Sequence, residues 1–461
     1  MRNSRALPLL ALVASFAASP AFSTDLVQPA GADVARLLQS LQDRLSRLEA
    51  RNAELERRLA EPAKVPESVS ARLEDVETEV LSLSRKPDPL EKFDGVAVGA
   101  SLIMVAQHAK GGAVSATELS TRADIEVELP GGSIGQAEGK IFAHFRAGDG
   151  DGVDGAATPP GAFATSNATV FGNINSPVLM QAWYQLDIPV GAASGNLGRV
   201  ELTAGKIDPF AFFDGNNIAD DESEGFMNLA FVHNPLLDAG GDIGVGTHGA
   251  SPGVRIAYVS DVNGGNNITA SLGVFGTSNG ISAGADYLDS FSKPLTIAQL
   301  EYAGKSWPGL DGAYRIYAWN NGRAEDQINT GEEKHAGWGI SLDQQVAAHT
   351  TLFARYGHST KGNLNFDRAY TLGAQLDGGA WGREGDRIGL AYGALSTSSE
   401  YRIAGSGGVA TSGSEKIYEL FYAWQANESL QVTPSLQFID NPAGSGADDL
   451  TVWGLRAKLA Y

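Results

Sequence analysis

From residue 95 to the C-terminus, apolar and polar residues alternate one by one, and this period of two constrains the chain more than any other feature. Residues 122–129 set Ala123, Ile125, Val127 and Leu129 against Arg122, Asp124, Glu126 and Glu128. Residues 140–146 set Ile141, Ala143 and Phe145 against Lys140, His144 and Arg146, with Phe142 out of phase. At the C-terminus Trp453, Leu455, Ala457, Leu459 and Tyr461 alternate with Gly454, Arg456, Lys458 and Ala460. A strand with one apolar and one charged face fits a closed barrel whose outside meets hydrocarbon and whose inside meets water. Sixteen such segments centre near residues 100, 125, 141, 184, 202, 256, 271, 299, 316, 340, 353, 373, 390, 420, 434 and 456. Each has roughly the 9–11 residues that cross a bilayer at a tilt.

The connections add independent information. Those after segments 2, 4, 6, 8, 10, 12 and 14 are short, as at 261–266 and 425–429. Those after the odd segments tend to be longer, notably 147–178 and 207–252. Short turns at one end and longer loops at the other are the arrangement of transmembrane β-barrels, and an even strand number returns both termini to the short-turn, periplasmic side. Aromatic residues near segment ends, including Tyr356, Tyr392, Tyr422, Trp424 and Phe438, suit interfacial girdles. A soluble β-sandwich or β-helix would not explain the loop parity. The expected fold is an all-β transmembrane barrel of about 16 antiparallel strands over 95–461, preceded by an α-helical coiled coil.

The N-terminal segment has a different period. Arg2 and Arg5, the apolar run 6–18 and the small residues after it read as a signal peptide over 1–23. No later run of about 18 apolar residues follows, so no transmembrane helix is expected. Leu38, Leu41, Leu45, Leu48, Leu55 and Leu59 then hold a and d positions, with Asn52 the single polar a residue and Arg44, Arg51, Glu49 and Glu56 at g and e. We expect a periplasmic oligomerising coiled coil over 31–86, broken near 62–66 by Pro62 and Pro66, and a linker over 87–94.

Composition narrows the function. The chain of 461 residues has no Cys, which excludes disulfides, thiolate metal sites and a cysteine nucleophile. A formal charge of −20 argues against a nucleic-acid partner. The seven His (His108, His144, His233, His248, His335, His349 and His358) are scattered, and no HExxH or GxSxG spacing occurs. No catalytic residue, metal site or cofactor is expected; the stretch 214–220 lacks the order of a calcium loop.

The connection 207–252 carries the unusual chemistry. Ile207, Pro209, Phe210, Phe212, Phe213, Phe226, Leu229 and Phe231 are too apolar for a loop in water, and the barrel interior is the nearest surface to bury them. Between them lie Asp208, Asp214, Asn217, Asp220, Asp221, Glu222 and Asn228, good partners for hydroxyl groups. On the strands, Arg122, Arg146, Arg199, Arg255, Arg315, Arg355 and Arg456 fall on the non-lipid parity, with Glu126, Glu128, Glu201, Glu301 and Glu419. Trp183, Tyr317 and Trp319 share that parity and are candidates for stacking on sugar rings.

This stretch resembles the hallmark segment of the carbohydrate-selective porin (OprB) family. The shared elements are Gly205-Lys206-Ile207-Asp208, Phe212-Phe213-Asp214, Asn217, Ala219-Asp220-Asp221-Glu222 and Phe226-Met227-Asn228-Leu229-Ala230-Phe231-Val232. Similar blocks recur at 382–393, at 418–422 and at 433–442, whereas Ser435 stands where the family often has an acidic residue and Ala443 where it often has Gly. The resemblance implies an outer-membrane channel for small sugars, with Lys206 among the site residues and, by analogy with general porins, a homotrimer. Other readings remain at this point: a porin for anions, phosphate or iron-chelates, or a barrel that anchors a tether touching the cell wall.

Overall fold

The computed structural model describes residues 95–112, 114–191, 198–237, 249–262, 266–277, 289–306, 309–329 and 331–461. The expected signal peptide, coiled coil (Leu38, Leu41, Leu45, Leu48, Asn52, Leu55, Leu59) and linker lie outside them.

The described residues fold into sixteen strands. In chain order these are β1 Ala97–Gly111, β2 Ala116–Ile134, β3 Ala137–Asp149, β4 Ile174–Val190, β5 Gly198–Ile207, β6 Ser251–Val262, β7 Asn266–Phe275 and β8 Leu295–Ser306. They continue as β9 Leu310–Glu325, β10 Glu332–Ala347, β11 Thr350–Lys361, β12 Phe366–Asp377, β13 Arg387–Thr397, β14 Ser414–Gln425, β15 Leu430–Asp440 and β16 Leu450–Ala460. Each expected segment centre falls inside one strand. Every neighbour is antiparallel, and β1 closes the barrel on β16, with Ser101 opposite Ala460 and Gly111 opposite Leu450. Closure leaves no unpaired sheet edge, which a lipid environment requires.

The loop parity is not uniform. The connection 378–386, after β12, is longer than the other even connections and contains the 3-10 turn Gly378–Trp381. Asp386 organises it, accepting from Arg383 Nε at 2.5 Å, Gln425 N at 2.9 Å and the Tyr422 hydroxyl. The odd connections 112–115 and 362–365 are short.

Alternation sets the two faces. Leu102 and Met104 are each 43% exposed on the outside of β1, whereas Ile103 and Val105 between them are 1% exposed and pack on Met227 of the β5–β6 connection. Outward-facing Ile125, Val254, Ile256, Leu300, Ile316, Leu372, Leu390, Leu420 and Leu455 continue the apolar belt. Tyr370, Tyr392, Tyr418 and Phe438 form a row across four strands near the long-loop end, with centroid spacings of 6.0, 4.9 and 6.1 Å. Such rows are the interfacial girdle of membrane barrels.

The main apolar core lies inside the barrel. Phe213, Phe226, Phe231, Leu236 and Leu237 of the β5–β6 connection are at most 2% exposed and pack on Phe275, Ile297, Phe353, Phe421 and Ile439 of the wall. Burying each such side chain contributes roughly 1.5–3 kcal/mol relative to exposure, enough to draw the connection into the lumen. The β3–β4 connection, which holds the short helix α1 (Asp154–Ala157), also turns inward. It crosses to the far wall, where Phe163 N (3.2 Å) and Ala164 N (2.7 Å) donate to Glu415 of β14. It pairs with the β5–β6 connection, the third at the long-loop end, through Ala168 N to Met227 O (2.8 Å) and Leu229 N to Thr165 O (3.0 Å).

Candidate functional site: a charged passage beside the in-folded connection

The period of two brings Arg122 and Asp124 of β2 to the inner face, beside Arg146 and His144 of β3. Asp124 collects three donors: Arg122 Nε at 2.7 Å, Arg146 Nε at 2.6 Å and His144 Nε2 at 2.8 Å. Opposite this wall stands the acidic part of the third connection. Arg122 also reaches across to Glu222 Oε1 at 2.5 Å, so one guanidinium spans wall and loop.

The connection is fastened along its length. Asp208 caps the 3-10 turn Pro209–Ala211 through Phe210 N (3.0 Å). Asp214, fully buried and at φ 62°, accepts from the Tyr317 hydroxyl (2.5 Å), Asn234 N (2.6 Å) and Arg355 Nε (3.2 Å). Asn216 bonds the Leu342 carbonyl at 3.2 Å, and Asn217 bonds Asp343, which Arg315 also holds at 3.1 Å. Arg456 donates to the carbonyls of Glu222, Glu224 and Gly225, and Glu224 pairs with Lys458 at 2.8 Å. Asn228 caps helix α2 (Leu229–Val232), while Glu419 of β14 accepts from Met227 N and Asn228 N at 2.8 and 2.9 Å.

These anchors push the connection against one side and leave a polar cavity of about 740 Å³ on the other. Arg122, Asp124, Glu126, His144, Arg146 and Lys458 line its wall; Asp208, Asp220, Asp221, Glu222 and Glu224 line its loop side, with Phe210, Met180 and Leu229 as an apolar strip. Its lining runs from Gly249 at the long-loop end to Gly99 and Tyr461 at the short-turn end.

Electrostatics differ among the loop groups. Burial opposes ionisation of Glu222, but Arg122 and Arg146 outweigh it and hold the carboxyl down at about 2. Burial pushes Asp220 up to about 8 despite Arg355, and Asp208 up to about 6. His233, stacked on Phe210 with centroids 3.7 Å apart, is driven by burial to about 3 and stays neutral.

Of the residues singled out from sequence, Arg122, Arg146, Asp208, Asp220, Asp221 and Glu222 meet at this cavity. Asp214, Asn217, Asn228 and Arg355 instead hold the connection to the wall, and Arg315 braces Asp343, the wall partner of Asn217. Arg255 pairs with Glu201 at 2.9 Å and lies 4.6 Å over Phe212. Arg199 also pairs with Glu201 but is half-exposed. Lys206 donates to the Leu179 carbonyl at 2.6 Å and does not line the cavity. The expectation that Trp183, Tyr317 and Trp319 face solute is corrected. Trp183 is stacked on Phe142 with Phe212 edge-on to it, and Tyr317 and Trp319 are buried under the connection. Phe142, out of phase in the sequence, is therefore part of this inner packing. Sequence reasoning missed Asp124, His144 and Lys458 as cavity residues, although their parity marked them, and missed the tethers Glu415 and Glu419.

The model of the carbohydrate-selective porin OprB family matches residues 143–461. The chain belongs to the carbohydrate-selective porin (OprB) family. Family and closed barrel together place this porin in the bacterial outer membrane, as a channel protein and not an enzyme. The high-pH structure of Pseudomonas putida OprB superposes with a TM-score of 0.67 at 17% identity, covering 81% of this chain and 95% of that one. Its low-pH structure gives 0.48 at 15% identity, covering 81% and 94%. A mutant of the Rh. blastica porin gives 0.45 at 12% identity, covering 79% and 100%. At such identities the likeness is one of fold. No curated protein matches the chain by sequence.

Proposed function

We propose that this porin allows facilitated, passive diffusion of small carbohydrates into the periplasm through the cavity between β1–β3 and the third connection. The observation that carries the reading is the lining itself. Guanidinium donors of Arg122 and Arg146 and the carboxylates of Asp220, Asp221 and Glu222 line one cavity, beside the apolar strip of Phe210, Met180 and Leu229. A sugar offers hydroxyls that both donate and accept and a face of C–H groups, so each part of the lining has a counterpart. Arg122 and Arg146 are neutralised in place by Asp124 and Glu222, and carboxylates outnumber cations around the cavity. That balance disfavours the reading as an anion, phosphate or iron-chelate channel. Release stays fast where no single group binds tightly, and no cofactor or energy source enters the account.

In this reading the long loops face outward and both ends of the barrel chain face the periplasm. The segment around Leu38–Leu59 then acts there as a coiled coil that assists assembly as a homotrimer or touches the cell wall. The decisive experiment is planar-bilayer recording of the full chain with glucose, maltose and neutral polyols as blockers. Sugar-dependent block at constant ionic strength is expected. Block by phosphate with none by sugars would overturn the reading. Deleting residues 34–83 should leave sugar flux intact and alter only assembly or tethering.

A further inference from the structure

At the long-loop end, a second cavity of about 330 Å³ opens among the connections after β3, β5, β9 and β11. This size lies at the small end of the roughly 300–1,000 Å³ typical of small-molecule sites. Its floor is apolar. Leu236, Leu395 and Phe366 are buried, and Pro235 and half-buried Phe163 complete it. Its rim is polar, made by Glu325, Gln327 and Asn365.

The walls are held from several directions. Phe163 is fixed through its backbone N to Glu415 at 3.2 Å, and Leu236 N donates to Asn234 Oδ1 at 3.1 Å. Asn365 N donates to Gln327 Oε1 at 2.9 Å, while Ser398 N donates to the Asn365 carbonyl at 2.9 Å. Gly161, at φ 82°, brings the β3–β4 connection against Tyr401, whose hydroxyl a Cβ there would strike. The Asn365 amide itself is turned inward, with Nδ2 donating to the Gly161 carbonyl at 3.4 Å, so that it braces the wall.

We propose that this cavity is an outer docking subsite for one pyranose-sized polyol. The ring lays its C–H face on Phe163 and Phe366, donates hydroxyls to Glu325, and accepts from the Gln327 amide. The subsite collects solute at the mouth before it reaches the charged passage, and its walls are pre-formed, so little ordering entropy opposes capture. The proposal rests on the reading that this pore carries sugars.

The test is bilayer recording of the full chain with glucose added from each side in turn. Glu325→Ala with Gln327→Ala, and separately Phe163→Leu, should each slow the rate of glucose-blocking events from the long-loop side roughly five- to tenfold, with the rate from the short-turn side unchanged. Conductance in plain salt should not change, because these residues lie outside the passage. If glucose blocks the wild-type pore and both variants match it, the subsite is refuted while the sugar reading stands. If glucose never blocks the wild-type pore, the sugar reading itself falls. Normal heat-modifiable migration of the variants on gels separates either result from misfolding.

Discussion

Arg456 offers the sharpest test of how the passage is shaped. Its side chain, on β16, is fully buried. Nη1 donates to Glu222 O (2.7 Å) and Gly225 O (3.1 Å), and Nη2 to Glu224 O (2.6 Å) and Thr433 Oγ1 (3.3 Å). Arg456→Ala removes one buried cation and leaves three loop carbonyls without that donor. A hydrogen bond with one charged partner contributes roughly 1.5–3 kcal/mol net, but bonds sharing one cation do not add. Leaving such buried acceptors without a donor costs about 1–3 kcal/mol. By the usual conversion, the displaced state of the acidic arch, residues 220–225 of the β5–β6 connection, should rise by roughly one to two powers of ten. Arg122 and Glu419 still hold neighbouring points, so the barrel itself should stay closed. Single-channel recording should show higher conductance with open-state noise, and limited proteolysis should gain a cut within 220–228. Arg456→Lys should fall between, since one ammonium cannot span three carbonyls. Unchanged conductance and an uncut arch in Arg456→Ala would refute the claim that this residue holds the arch.

Replacing Asp220, Asp221 and Glu222 together by Ala should raise conductance and weaken cation preference, measured as reversal potential in a salt gradient. For Asp220, whose pKa is raised to about 8, the neutral form is favoured in the folded arch. Its contribution to arch stability is complete below the unfolded value of about 4 and is lost as pH rises through about 8. Cation preference should therefore increase between about pH 7 and 9, and Asp220→Asn should abolish that step in the reversal potential. Glu222, held down at about 2, contributes in the opposite sense. Its stabilisation is present above about 4.5 and is lost only as pH falls towards 2. Ala443 sits at φ 59° while its N–H donates to Glu415 at 2.6 Å. Ala443→Gly should stabilise the barrel by about 1 kcal/mol, read as a higher unfolding temperature in detergent.

The sixteen strands, their two faces and the in-turning of the third connection were legible from sequence. Period-two alternation is a local property of each strand, and a loop containing Phe212, Phe213, Phe226 and Phe231 must bury them somewhere. Parity assigns a side chain to the lumen but says nothing of depth or of what covers it. Arg122 and Arg355 share that parity. One borders the cavity beside Glu222, while the other lies under the connection against Asp214. The β3–β4 connection gave no sequence sign of its inward path, because Ser166, Asn167 and Thr169, all buried, read like any solvated loop. Its course depends on Glu415 and Gln437, which are more than two hundred residues away along the chain and are brought within bonding distance of it only once the barrel closes. Thus the alternation of residues determined a closed wall with a wet interior. Closure alone decided which part of that interior stays open, because the packing that fills the rest joins segments no local pattern connects.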